Sequence, residues 1–327
     1  MVEVKVGKVS PFADTLIRGA LYFGGLEFNE FSDSFVVKGD IGEVFRAVAD
    51  LVKQRREEKF NILTPNDRRR SKDRRKTTWE RVTGCLGLST EVTPEKLFST
   101  AGNSLEVITK CGRVEASLSV LKAEFYEYAR EPLLKGSKYS NEADVLSVLL
   151  VLAGYYGWKL GRTKVSEDFV DVLLMPLVSV SEGKGAAEAF RKIVIKLEKL
   201  PKNLGHPLTF SLWLALNVPL DSSVQVFLIS TGNRVSVKGN FTVDLVRLRK
   251  GIEELFSSTS PLEKLIGIAT SDDVSAETDN FVRLVYNAIN KTVSSEELMV
   301  RGLRYASSKP DKKEFNIFKE VAKAVKL

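Results

Sequence analysis

Val145-Leu146-Ser147-Val148-Leu149-Leu150-Val151-Leu152-Ala153-Gly154-Tyr155-Tyr156-Gly157-Trp158 carries no charge and shows no polar side. A helix that faces water keeps one polar face. The helix predicted over Glu142–Trp158 therefore belongs at the centre of a fold. Its most apolar part, Val145–Tyr156, is about a dozen residues, short of the ~20 that cross a bilayer. Lys159 and Arg162 close it off. A buried central helix must be covered, and the 327-residue chain has the material. It is 43% hydrophobic and 28% charged, ordinary values for a folded protein of one large or two moderate domains.

Toward the N-terminus, Val2-Glu3-Val4-Lys5-Val6 alternates with period two and reads as a strand. Pro11 opens a helix over Phe12–Phe23 that Gly24-Gly25 ends, and Ser34–Lys38 reads as a second strand. Ile41, Val44, Phe45, Val48, Leu51 and Val52 form one apolar stripe, predicting a helix over Ile41–Glu58 with Asp40 as its N-cap and Glu43 completing a capping box. Phe60–Leu63 is expected as a short strand stopped by Pro65. Val114, Leu118, Leu121, Phe125 and Tyr128 give a further amphipathic helix ending near Pro132.

Toward the C-terminus, Asp168–Leu174 is expected as a strand, followed by a helix with Phe190, Ile193, Val194 and Leu197 inward. In His206–Asn217 the alternation of Leu208, Phe210, Leu212, Leu214 and Leu216 favours a strand. The residues between them are not polar enough to exclude a buried helix. Val224–Ile229 and Arg234–Lys238 predict a hairpin around Gly232-Asn233. From Thr242 onward the pattern is helical. The expected fold class is α+β and helix-rich. Residues 1–140 form a mixed part with a small sheet, and residues 141–327 form a mostly helical part with a hairpin near 224–238.

Charge is concentrated in one place. Asp67-Arg68-Arg69-Arg70-Ser71-Lys72-Asp73-Arg74-Arg75-Lys76 is basic at seven of its ten positions. From Lys53 to Lys76 eleven basic residues face four acids, a surplus equal to the +7 of the whole chain. Clustered cations repel one another, by a few tenths to ~1 kcal/mol per near pair in water, unless a polyanion offsets them. Arginine's planar fork matches phosphate oxygens two at a time. Arg68, Arg69, Arg70, Lys72, Arg74, Arg75 and Lys76 are the expected phosphate contacts. Thr77 and Thr78 could add hydroxyl contacts, and Trp79 could stack on an unpaired base. The bland alternative is a solvated loop. Arg191, Lys192, Lys196, Lys199 and Lys202 form a second basic face, diluted by Glu188 and Glu198.

Signals for catalysis are weaker. His206 is the single imidazole and heads an apolar segment, where a turn or a helix start is the simpler role. Gly183-Lys184-Gly185 lacks the spacing and the Ser/Thr of a phosphate-cradling P-loop. Asp272, Asp273, Glu277 and Asp279 could gather a metal in a nuclease, but Ser275 and Thr278 beside them are helix-start chemistry. Tyr155, Tyr156 and Trp158 are expected in the core. Cys85 and Cys111 are expected as separate buried thiols, since one pair in so long a chain does not make a disulfide scaffold and no zinc-site spacing exists. No cofactor is expected, nor catalysis, a metal-dependent nuclease or RNA-processing enzyme near Asp272 being the runner-up. Met1–Val9 lacks an apolar leader core, and a cytoplasmic protein without membrane contact is expected. Abundant Lys, Arg and Glu with only two glutamines suits a thermophilic source.

In layout the chain resembles the large-subunit family of the archaeal type I-A CRISPR interference complex, the archaeal Cascade. The resemblance runs over most of the chain: a mixed front, the basic stretch, Leu152-Ala153-Gly154-Tyr155-Tyr156-Gly157-Trp158, then Gly205-His206-Pro207-Leu208-Thr209 and a helical tail. It transfers no functional residue. It implies a non-enzymatic antiviral-defence subunit that contacts guide RNA or target DNA, with other subunits of the complex as partners, while base pairing reads sequence.

Overall fold

The central helix forms three residues later than expected, since Glu142–Asp144 is a strand: Val145–Trp158 is helical and every one of its fourteen residues is buried. The computed structural model of the protein describes residues 3–68, 76–123, 142–165, 167–179, 182–197, 200–232, 235–272, 274–308 and 313–326. The fold is α+β. It divides into two units, one of Met1–Gly161, Val170–Leu197 and Val226–Asn240, the other of Arg162–Phe169, Glu198–Gln225 and Phe241–Leu327.

In chain order the elements are β1 (Glu3–Gly7), α1 (Pro11–Gly24), β2 (Glu27–Glu30), β3 (Ser34–Lys38), α2 (Gly42–Gln54), α3 (Pro65–Arg68), α4 (Thr78–Cys85), α5 (Pro94–Asn103), α6 (Leu105–Lys110), β4 (Arg113–Glu115) and a 3₁₀ turn (Ser119–Lys122). There follow β5 (Glu142–Asp144), α7 (Val145–Trp158), β6 (Lys159–Val165), β7 (Asp168–Pro176), α8 (Gly183–Lys196), α9 (Pro207–Asn217), β8 (Ser223–Thr231) and β9 (Val235–Asp244). The tail is α10 (Leu245–Leu255), α11 (Ser260–Ala269), α12 (Ala276–Ile289), α13 (Ser295–Ser308) and α14 (Lys313–Ala324). The described strands form three sheets: β1-β3-β2, β4-β5 and β6-β7-β8-β9. The first two are antiparallel, with Val6 opposite Phe35 and Val114 opposite Ala143.

In the first unit α1 crosses α7 at very close range. A Cβ on Gly154 would meet the carbonyl oxygen of Leu16 at 2.0 Å, so glycine is required there. One turn on, Trp158 donates its indole N–H to the Gly19 carbonyl at 2.7 Å and meets Phe23 edge-on at 5.4 Å. Beside it lies a buried ionic group. Lys159 Nζ stands 3.1 Å from Glu57 Oε1 and 3.7 Å from Asp171 Oδ1, and Tyr155 donates to Asp171 Oδ2. Arg55 donates to the Lys159 carbonyl at 2.6 Å and pairs with Glu57 at 3.3 Å. Burial holds the Tyr155 and Tyr156 hydroxyls well above the usual phenol range and draws Arg55 down from its usual value. Removing one member of such a group strands the others, at a cost of about 3–5 kcal/mol.

In the second unit Phe281, Tyr305 and Phe318 join α12, α13 and α14, with Phe281 and Phe318 4.4 Å apart. The end of the chain is tied back by Ser257 N–H to the Ala324 carbonyl and Lys326 N–H to the Leu255 carbonyl, each 2.8 Å.

Several expectations are corrected. Residues 207–217 form a helix, not a strand: Pro207 is at its first turn and the His206 ring accepts from Leu208 N–H at 3.2 Å. Residues 60–63 form a turn. Val114 lies in a strand, and the apolar run after it becomes a 3₁₀ turn, with Phe125, Tyr128 and Pro132 outside the described residues. Asp40 stands one residue before the cap of α2, bonding Gly42 N–H at 2.8 Å and Arg46 at 2.5 Å. The hairpin exists and is longer than expected, with Asn233 and Arg234 outside the described residues. Cys85 and Cys111 are bonded to each other.

Candidate nucleic-acid interface

Arg69, Arg70, Lys72, Arg74 and Arg75 of the basic stretch lie outside the described residues. What the structure gives is how the chain enters and leaves that stretch. On entry, Pro65–Arg68 makes a single helical turn with Asp67 inward, 8% exposed. Asp67 Oδ2 accepts from the backbone N–H and the hydroxyl of Thr64, both at 2.8 Å. Asp67 Oδ1 accepts from the N–H and the hydroxyl of Ser119 at 2.9 and 3.1 Å. Asp67, counted in the sequence as an acid within a basic run, is thus a clamp. Arg68 is part-buried and gives one guanidinium N–H to the Phe60 carbonyl.

On exit, Lys76 is exposed and Thr77 caps α4. The Thr77 hydroxyl accepts from Glu80 N–H at 3.2 Å, and Glu80 accepts from Thr77 N–H at 2.7 Å. This is a complete capping box. Thr78 bonds the Glu115 carbonyl and, at 2.6 Å, the Ser117 hydroxyl. Both ends of the basic stretch therefore close on the same five residues, Glu115–Ser119. Thr77 and Thr78 spend their hydroxyls inside the fold rather than on phosphate.

Trp79 does not offer a stacking face. It is 1% exposed, donates its indole N–H to the Thr90 carbonyl at 2.9 Å and meets Phe60 edge-on at 5.1 Å. A residue one step into an amphipathic helix, after a cap, turns inward for the same reason any core tryptophan does: it buries some 150–250 Å². Past Trp79, the disulfide joins Cys85, the last residue of α4, to Cys111 after α6.

The second basic face is thinner than the sequence suggested. Arg191 lays its guanidinium over the Phe23 ring at 4.3 Å and donates to the Phe23 carbonyl at 3.0 Å. Lys199 lies outside the described residues. His206 serves as the cap of α9, and Gly183-Lys184-Gly185 opens α8, with Lys184 against Gly25. Near Asp272, Ser275 caps α12, and the Ser275 and Thr278 hydroxyls both donate to Glu314, at 2.8 and 3.0 Å. Asp279 pairs with Arg283 at 2.9 Å, and Asp273 lies outside the described residues. Among the described residues no three His, Cys, Asp or Glu side chains gather as a metal site. Nor is any described helix long and apolar enough to cross a membrane.

Phe169, which composition and periodicity do not single out, is an exposed aromatic within reach of Arg162 and Lys164. Its signal in the sequence is Arg162-x-Lys164 ahead of Phe169, which gains meaning only with Lys159–Val165 and Asp168–Pro176 as strands.

The model of the CRISPR-associated protein CsaX family matches residues 36–306. The chain belongs to that family. The matched span takes in the basic stretch, its clamp at Glu115–Ser119, the central helix and most of the helical tail. Membership carries a role in CRISPR defence. No curated protein matches the chain.

Proposed function

We propose that this protein is a non-catalytic nucleic-acid-binding subunit of a CRISPR RNA-guided interference complex, of the type I-A archaeal Cascade kind. It holds the phosphate backbone of guide RNA or target DNA through Arg68, Arg69, Arg70, Lys72, Arg74, Arg75 and Lys76. Family membership supports the CRISPR setting. The observation that carries the binding role is the pairing of seven basic residues within ten with a scaffold that clamps both ends of the run. A solvated loop needs no such clamp. A site that must present several cations to one polyanion gains from fixed ends, because less freedom is lost on binding. Other subunits of the complex are its protein partners, and the compartment is cytoplasmic.

Replacing Arg68, Arg69, Arg70, Arg74 and Arg75 by alanine tests this. Binding of RNA or DNA weakens, and the slope of log affinity against log salt flattens by about 0.7–0.9 for each arginine that held a phosphate. An unchanged slope in a gel-shift series at several salt concentrations would remove the basic stretch from the interface.

A further inference from the structure

The second unit carries an exposed aromatic in a setting that its own folding does not explain. Phe169, on β7, is 56% exposed. Leaving a phenylalanine in water forgoes the burial that most of its kind obtain. Two cations of β6 attend it: the Arg162 guanidinium and the Lys164 ammonium each lie 5.7 Å from the ring centroid. A third, exposed Lys202, belongs to the segment that runs along the outer side of β6. Lys164 N–H donates to the Lys202 carbonyl at 3.2 Å, and Lys164 and Asn203 form a parallel bridge. Arg162 and Lys164 are two apart on one strand and so share a face. Thr163, between them, is buried and donates to the carbonyls of Pro201 and Lys202. The platform thus has a fixed back and an open front. Two acids stand near the turn, Glu167 and Asp168, leaving the three cations a positive balance.

We infer that Phe169, Arg162 and Lys164, with Lys202 beside them, form a binding surface for unpaired nucleic acid. One base stacks on the Phe169 ring while the adjoining phosphates meet the cations. An aromatic face among cations is what a strand with free bases and a charged backbone fits. A duplex keeps its bases stacked on each other and presents no face to the ring. The inference shares its ligand class with the proposed function, but its residues are separate from the basic stretch, so either can fail alone.

The test uses the full chain and fluorescence anisotropy with labelled 15-nucleotide oligo-U, oligo-dT and a duplex of equal length. Phe169→Leu and Phe169→Trp are made in the unaltered chain and in the variant lacking the five arginines. Phe169→Leu is expected to weaken single-strand binding at least about fivefold in both backgrounds, the low end for one lost stacked base. Phe169→Trp restores it, and duplex binding is unmoved. A 5-iodouracil oligonucleotide, irradiated on the protein, crosslinks to the peptide containing Phe169. A stronger effect on oligo-U than on oligo-dT assigns the strand as RNA, and the reverse as DNA. If the five-arginine variant binds like the unaltered chain while Phe169→Leu still weakens binding, the basic stretch is idle and the Phe169 surface stands. If Phe169→Leu binds single strands undiminished, or loses duplex equally, the inference is overturned. It is also overturned if the change releases a protein partner and leaves nucleic-acid affinity alone.

Discussion

Asp67→Ala separates the clamp from the charge. The side chain accepts four hydrogen bonds, two from backbone amides and two from hydroxyls, in a position 8% exposed. The hydroxyls of Thr64 and Ser119 stand 3.3 Å apart and can turn to each other once the carboxylate is gone. The amides of Thr64 and Ser119 cannot turn. Each buried N–H left without an acceptor costs about 1–3 kcal/mol, so the loss is expected at about 2–6 kcal/mol. Urea denaturation followed by circular dichroism gives the total. Hydrogen exchange locates it, with faster exchange at the Thr64 and Ser119 amides. Asp67→Ala also makes the basic stretch one charge more positive. A surface acting through charge alone would then hold a polyanion more tightly; a surface that depends on its clamp holds it less tightly, and weaker binding is expected. A loss below about 0.5 kcal/mol, with both amides still protected, would refute the reasoning that Asp67 fixes the entry to the stretch.

Three further outcomes follow from the same structure. Cys85→Ser opens a loop of 26 residues and should lower stability by about 3.5 kcal/mol on loop entropy alone, an effect that reductant reproduces in the unaltered chain and not in the variant. Gly154→Ala sets a methyl against the Leu16 carbonyl and should lower the melting temperature, outweighing alanine's gain of about 1 kcal/mol in helix propensity; an equal or higher melting temperature would contradict the close crossing of α1 and α7. At Glu30 partial burial pushes the carboxyl up, but Lys8 at 2.9 Å and Arg18 at 2.8 Å outweigh it and hold the group below its ordinary 4.5. Its stabilising contribution is therefore present above pH 4.5 and lost as pH falls through the lower folded value, and Glu30→Gln should flatten the acid limb of stability against pH.

The sequence was legible where one physical signal dominated. Val145–Trp158 could only be a buried helix, and the stripe of Ile41–Val52 could only face a core. It misled where two signals competed. In Pro207–Asn217 every second residue is apolar, yet the residues between include Trp213 and Ala215 and carry no charge, and with Thr209 and Ser211 buried as well the helix shows no period to read. Pro207 behind a capping His206 was the better guide. At the candidate interface, composition located the charge but not the partners of its neighbours. Trp79 next to seven cations suggests a stacking residue, whereas its contacts with Thr90 and Phe60 are set by segments that sequence adjacency cannot show. The pairing of Cys85 with Cys111 is hidden for the same reason.

The convergence of both stems on Glu115–Ser119 makes the basic run separable from its frame. Thr64, Asp67, Thr77, Thr78 and Glu80 work as a socket whose described bonds run among themselves and to Glu115, Ser117 and Ser119. A socket of that kind accepts an exchangeable cassette. Relatives could swap the inserted residues, tuning charge or length to a different polyanion, while the supporting architecture stays as it is. The same property invites grafting: a foreign binding peptide spliced between the two stems would inherit a ready-made anchorage.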